Sequence, residues 1–368
     1  LMGPLPVDKV AKALASQVLD RVGPLGRLDV VTDFGRVVPV LAAGSLFGIT
    51  GPAYVSPTAI ASRFARLDVT DMPDDWLRTL PAIEDYAKPM VTMQTWTRLT
   101  FLQIFVNMVG TRELIASGER AAREFLRHID DLIWAARSTT SAAPPRNLLE
   151  ALVRVPVDLA DAPDPHRHVR LLLAEFTAGA VETLNAALTH AIDYVLDHRP
   201  VVVQALRDYL NAGPLSLDQL IAKLDDREID ILIYEILRFD PMGALAFRTC
   251  AAPGATIGGK PVAPRTTVCL VAAAAMIDPV AFPSPAEIRF DRPLGNYLHF
   301  GGGMHACMGQ TIMSPIVFPI AMPLLREMFR AITTRPGLRR AAGKAGERRQ
   351  TLPLLVDGLT VRFEPTVR

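Results

Sequence analysis

Apolar residues recur at helical spacing along most of this 368-residue chain. Val7, Val10, Leu14, Val18 and Val22 fall three or four positions apart and predict an amphipathic helix over 7–22, closed by Gly23-Pro24. Further helices are predicted over 29–48, 90–109 and 112–136, with 107–111 as the break between the last two. The longest uninterrupted pattern runs from Val169 to His198, with no proline and a single glycine. At roughly 1.5 Å per residue it would extend about 45 Å, enough to cross a whole domain. Shorter helices follow over 201–211, 217–224 and 228–239.

From Pro241 to Val271 the pattern changes to short β-like runs at 244–248, 255–257 and 267–271, punctuated by Gly and Pro. Leu352 to Val356 and Leu359 to Phe363, on either side of Asp357-Gly358, predict a hairpin. The fold class is mainly α with a minor β region. The stretch 138–146, with Pro144-Pro145, has the composition of a linker, yet it is short and separates no two compositions, so a single domain over 1–368 is expected.

Half of the residues are apolar, ample for a large core. Lys plus Arg is 39 against 38 Asp plus Glu, a net charge of +1, which gives no reason to expect nucleic acid as a partner. Three cysteines argue against a disulfide framework and suit a reducing, cytoplasmic compartment. The apolar stretch 38–49 is too short for a bilayer, so no membrane span is expected. No basic-then-apolar leader stands at the N-terminus, and a first residue of Leu instead of Met suggests a processed or excised piece. His166 and His168 lie in a Pro/Asp-rich loop and read as solvated. The basic run 335–349 reads as a solvated loop, with a docking surface for an acidic electron donor as the alternative.

The candidate chemistry centres on Phe300-Gly301-Gly302-Gly303-Met304-His305-Ala306-Cys307-Met308-Gly309. Three successive glycines suit a sharp turn lying against something flat. The apolar run from Gln310 to Phe329, interrupted by Pro315, Pro319 and Pro323, reads as a kinked helix, which would set Cys307 at its N-terminus and favour a thiolate. Such a thiolate can be a nucleophile, a zinc ligand or an axial ligand to haem iron. Cys250 and Cys269 form no Cys-x-x-Cys pair, against zinc, and a phosphate loop would need a Lys-Ser/Thr ending that is absent. Within the long helix, Gly179 carries a cost of roughly 1 kcal/mol relative to Ala. A flat ligand or a second helix against that face would account for it.

The order Phe-x-x-Gly-x-His-x-Cys-x-Gly resembles the haem-binding signature of the cytochrome P450 family, which holds haem through a cysteine thiolate. The resemblance extends through Ala178-Gly179-Ala180-Val181-Glu182-Thr183, Glu235-Ile236-Leu237-Arg238, Phe239-Asp240-Pro241, Phe247-Arg248, Asp278-Pro279 and Phe290-Asp291-Arg292, in that order. Ala180 stands where the family usually has Gly, and Leu184 where a second Thr or Ser is common. The segment Leu28-Asp29-Val30-Val31-Thr32-Asp33-Phe34 matches a point after the family's first quarter, so an N-terminally shortened version of the fold is expected. One haem edge would then be more open than usual, or covered by residues 50–110.

The resemblance implies haem b, with Cys307 as the iron ligand, His305 and Arg248 at the propionates, and Phe300, Gly301, Gly303, Gly309, Ala178 and Gly179 around the ring. It implies that Glu182 and Thr183 handle protons for dioxygen cleavage, and that Glu235 and Arg238 form a buried structural pair. Met242, Ala244 and Leu245, with Ala178, would line a pocket for an apolar small molecule. A monooxygenase of this type takes electrons from a separate ferredoxin- or flavodoxin-type partner. Phe101 to Ala122, Ala191-Ile192-Asp193-Tyr194 and Pro293 to Gly301 also resemble haem domains fused to fungal fatty-acid dioxygenases, which makes an electron-independent lipid hydroperoxide isomerase or lyase the alternative. A catalytically silent haem-fold protein is the third reading.

Overall fold

The computed structural model describes residues 7–50, 84–106, 112–138, 143–154, 164, 166–309, 320–352 and 354–365. Helix α1 (Val7–Val22) follows its apolar stripe, with Val7, Leu14, Val18 and Val22 buried and Val10 packed against them. Strand β1 (Arg27–Asp29) leads into α2 (Val30–Phe47). Asp29 starts that helix by accepting hydrogen bonds from the Val31 and Thr32 amides. The ends of α2 are wound wide, as π-helix over Val30–Gly35 and Ala43–Phe47, around a regular core at Val37–Ala42.

Helix α3 (Glu84–Phe101) continues as a π-wound segment, Leu102–Val106, and packs along α4 (Arg112–Ser138). The expected break at 107–111 lies outside the described residues, as do 51–83 and the start of the helix expected from Gln310, with Pro315 and Pro319. Helix α5 (Leu148–Leu152) is capped by Asn147, whose side chain accepts from the Glu150 amide. The central helix, α6 (Arg167–Asp197), runs 31 residues and is touched by α2, α3, α4, α5, α7, α9 and the last helix, Ala321–Thr333. His166 is its N-cap residue and His168 lies exposed in its first turn.

Helices α7 (Arg199–Leu210), α8 (Leu217–Ile221) and α9 (Asp226–Phe239) follow. Ser216 with Gln219 and Asp225 with Glu228 form reciprocal capping boxes, which explains why α8 and α9 begin where they do. Strand β2 (Leu245–Thr249) pairs antiparallel with β5 (Thr267–Val271), Phe247 opposite Cys269, enclosing the small ladder of β3 (Thr256–Ile257) and β4 (Lys260–Pro261). A short helix, α10 (Ala272–Ala275), precedes the Cys307 turn. Helix α11 (Ala321–Thr333) carries Pro323 in its first turn, where a missing N–H costs nothing, so no kink results.

The C-terminal strands differ from expectation. The hairpin consists of β7 (Arg349–Leu352) and β8 (Leu355–Gly358), with the reversal between Leu352 and Leu355. Strand β9 (Thr360–Arg362) pairs with β1 and with β6 (Arg339–Arg340), Leu28 opposite Val361. Strand β1 offers β9 a free edge on which Leu28 and Val361 both become buried, a gain from distant pairing that local alternation cannot register.

One hydrophobic cluster runs from Val7 to Phe363. Helices α2 and α6 are each long and apolar enough to cross a membrane by composition, and the most apolar stretch of each is mostly buried inside the fold. The basic run is tied down. Arg340 Nη2 lies 2.6 Å from Asp193 and 2.7 Å from Asp197, Arg348 pairs with Asp193 and Asp240, Arg335 with Asp20 and Arg349 with Asp29. These arginines serve as cross-links between the chain end and the helices, in place of the solvated loop expected.

Candidate functional site

The Cys307 turn is shaped by its glycines. Gly301 and Gly303 hold φ of 68° and 66°, a left-handed backbone that residues with a Cβ avoid. The Cys307 amide donates to the Phe300 carbonyl at 2.8 Å, closing the loop on itself, and the Gly309 amide donates to Cys307 Sγ at 3.3 Å. Cys307 and His305 are exposed at the tip. Phe300 turns inward against Tyr234, Met276, Phe282 and Tyr297.

A side chain at Gly179 would meet no described atom within 4 Å. The neighbouring Ala180, which packs against the core on one side, and Thr183 are also only half-buried, so among the described residues α6 presents an open strip of small residues at its middle. The Thr183 hydroxyl donates back to the Gly179 carbonyl. Ala178 lies on the other side of the helix, within the main core. Strands β2 and β5 expose Leu245, Phe247, Leu270 and Val271. Arg248 lies exposed in β2, and its only partner among the described residues is the Phe247 carbonyl at 2.7 Å. Met242 packs between the core and Ala186, Val356 and Val31, while Ala244 is half-buried beside α10.

These features fit a haem. The turn carries a cysteine whose sulfur already accepts a backbone N–H, as a thiolate ligand does. A helix strip of small residues, exposed apolar strand residues and the exposed His305 and Arg248 side chains match a flat apolar ring with two carboxylates.

Glu182 follows on from the open strip, turned about 100° around the helix from its neighbour Thr183, and is fully buried against α2 and β8. Arg36 grips it in parallel, Nε to Oε1 at 3.1 Å and Nη2 to Oε2 at 3.3 Å, and Arg98 adds a contact of 3.4 Å. Arg98 also binds Asp357 at 2.6 Å. Burial pushes the Glu182 carboxyl up to about 7, with Arg98 pulling the other way.

Glu235 and Arg238 are both buried and pair twice, each contact 3.0 Å. Three further groups complete the carboxylate: Arg292 at 3.2 Å, the Tyr297 hydroxyl at 2.5 Å and the Arg289 amide at 3.0 Å. Arg238 spends its remaining donors on the carbonyls of Met276, Pro285 and Glu287. His299 Nε2 lies 2.9 Å from the Tyr234 carbonyl, so α9 is joined to the segment leading into the turn at both Tyr297 and His299.

Sequence reasoning gave Arg36, Arg98, Asp357 and Tyr297 no part in these clusters. Arg292 was visible within Phe290-Asp291-Arg292, but nothing local marked it as a partner of Glu235. Arg36 stands 146 positions from Glu182, and no periodicity links them.

A family model described as Cytochrome P450 matches residues 65–330. Linoleate diol synthase of Gaeumannomyces graminis is 46% identical over 70 residues, 19% of this chain and 5% of that protein. The 6-deoxyerythronolide B hydroxylase of Saccharopolyspora erythraea is 29% identical over 194 residues, 52% of this chain and 42% of the hydroxylase. The chain therefore matches less than half the length of either relative. Among solved structures, the bacillaene polyketide synthase cytochrome P450 PksS of Bacillus subtilis 168 superposes with a TM-score of 0.67 at 18% identity, covering 97% of this chain and 74% of that one. With the family model spanning most of its length and the fold shared almost throughout, the chain belongs to the cytochrome P450 family of haem-b thiolate oxidoreductases.

Proposed function

We propose that this chain is a haem-thiolate monooxygenase that inserts one oxygen atom from dioxygen into an apolar small molecule, with electrons from a separate ferredoxin- or flavodoxin-type donor. The observation that carries the reading is the open strip Gly179–Ala180–Thr183 on α6 with Glu182 adjoining it. Cys307 would hold the iron through its thiolate, His305 and Arg248 would face the propionates, and Phe300, Gly301, Gly303 and Gly309 would keep the turn thin. Haem b, when bound, supplies the electron-accepting and dioxygen-cleaving chemistry. The chain's part is to orient and to move protons. Thr183 presents a hydroxyl on the open strip, and Glu182 behind it exchanges a proton near neutral pH. Met242, Ala244 and Leu245 offer an apolar approach.

The shared hydrophobic cluster from Val7 to Phe363 supports one haem domain. Three unpaired cysteines support a cytoplasmic location.

A second reading, an electron-independent hydroperoxide isomerase, is favoured by the likeness to linoleate diol synthase and to the bifunctional dioxygenase–epoxy alcohol synthase of Fusarium oxysporum. Incubation of haem-loaded protein with a lipid hydroperoxide, without any reductant, separates the two. The monooxygenase stays inert there and consumes oxygen only when a reductant is supplied. Rapid rearrangement of the hydroperoxide would sink it, and inertness under both conditions would leave a silent haem-binding fold.

The ligand assignment has its own test. The reduced protein with carbon monoxide should show the red-shifted Soret band of thiolate ligation, and Cys307→Ala should lose it.

A further inference from the structure

The cluster around Glu182 contains a second carboxylate, Asp357, for which the proposed chemistry has no task. Asp357 sits in β8 with its side chain 40% exposed, beside a carboxylate that is 0% exposed. The two share both guanidiniums. Arg98 places Nη2 2.6 Å from Asp357 Oδ1 but Nη1 3.4 Å from Glu182 Oε2, so its better contact goes to Asp357. Arg36 does the reverse, at 3.1 Å from Glu182 Oε1 and 3.8 Å from Asp357 Oδ1. The Thr351 hydroxyl donates to Asp357 at 3.4 Å across the hairpin.

Among the described residues, the charged groups that face Glu182 are Arg36 from α2, Arg98 from α3 and Asp357 from β8. Arg349 of β7 pairs with Asp29 instead. A carboxylate gripped by two guanidiniums is held in its ionised form and makes a poor proton carrier. A competing carboxylate weakens that grip in two ways: it draws one guanidinium aside, and its like charge opposes ionisation of its neighbour.

We propose that Asp357 is a positioning residue for proton delivery, competing with Glu182 for Arg98 so that Glu182 remains free to take and release a proton, and forming the point where this buried cluster meets solvent. The proposal rests on the reading of Glu182 and Thr183 as the proton-handling pair.

The test uses Asp357→Asn, Glu182→Gln and the double variant. Unfolding free energy is measured against pH for each, and the difference between proteins with Glu and Gln at 182 locates the Glu182 midpoint. In the Asp357→Asn background that midpoint should fall by on the order of one pH unit, as Arg98 turns wholly to Glu182. Titration of the carboxyl C=O stretch by infrared difference spectroscopy gives the same midpoint from Asp357→Asn and wild type alone, should Glu182→Gln fold poorly. In haem-loaded protein, product formed per electron pair should then decline at a lower pH than in wild type, with haem content unchanged. An unmoved Glu182 midpoint, with Thr183→Ala still uncoupling electron use from product, overturns the role of Asp357 and leaves the proton-handling pair standing. A midpoint that moves while Thr183→Ala remains fully coupled overturns the pair itself, and the proposal with it.

Discussion

Glu235→Ala removes a buried carboxylate from Arg238, Arg292 and Tyr297 at once, leaving two buried cations without their counter-charge. The expected cost is roughly 3–5 kcal/mol, read from denaturant unfolding. Tyr297→Phe takes away one hydrogen bond and leaves the carboxylate its other donors, so the same measurement should show only about 1–2 kcal/mol. Equal losses for the two variants would mean that the carboxylate does not organise this cluster. The family resemblance implied the pair, which the Glu-x-x-Arg spacing alone could not, and gave nothing of its surroundings. Burial decides what the pair is worth, and burial here comes from the carbonyls of Met276, Pro285 and Glu287, about forty to fifty residues further along the chain.

Helix α6 carries two predictions of opposite kind on its two faces. No described atom stands against Gly179, so Gly179→Ala should stabilise the haem-free protein by up to about 1 kcal/mol through helix propensity alone. Gly179→Leu should lower haem content in the same preparations, since a bulky side chain would occupy the strip. A helix packed there against protein would lose stability with both changes. On the buried face, Glu182 has a folded-state value raised from 4.5 to about 7. A raised carboxyl value means that the protonated form favours folding: its contribution is fully present below about pH 4.5 and is lost as pH rises through about 7. Relative to Glu182→Gln, wild-type stability should therefore decline by about 3 kcal/mol across that window. A pH-independent difference between the two proteins would refute the burial argument.

At the scale of the whole molecule, the arginines of 335–349 hold the C-terminal strands onto α6 and α9. Arg348→Ala should cost about 1–2 kcal/mol of stability, because Asp193 and Asp240 lose a shared, partly buried partner. Reduction of the haem by a ferredoxin should keep its dependence on salt in this variant. A weaker salt dependence with unchanged stability would instead make this run a docking surface. Asp240 is held at about 2 despite its burial, because His190 and Arg348 bond to its carboxylate. The same junction therefore weakens only in strong acid, well below the range in which Glu182 titrates.

The sequence by itself determined what local physics controls. Helix α1 ends where Gly23-Pro24 ends its stripe, α9 begins at the Asp225–Glu228 capping box, and β5 occupies its predicted residues, because spacing, caps and β-branched runs act within a few positions. The Cys307 turn was legible for the same reason: its glycines and cysteine are close together in the chain, and two of those glycines do adopt the left-handed backbone that glycine enters most readily. Tertiary structure alone decided the rest. It paired β9 with β1 across the length of the chain, turned the basic run into cross-links, and surrounded Glu182 with Arg36, Arg98 and Asp357 from three separate elements. Those contacts depend on which faces the folded core brings together, and charge pairing over 146 or 259 positions leaves no periodic trace in the order of residues.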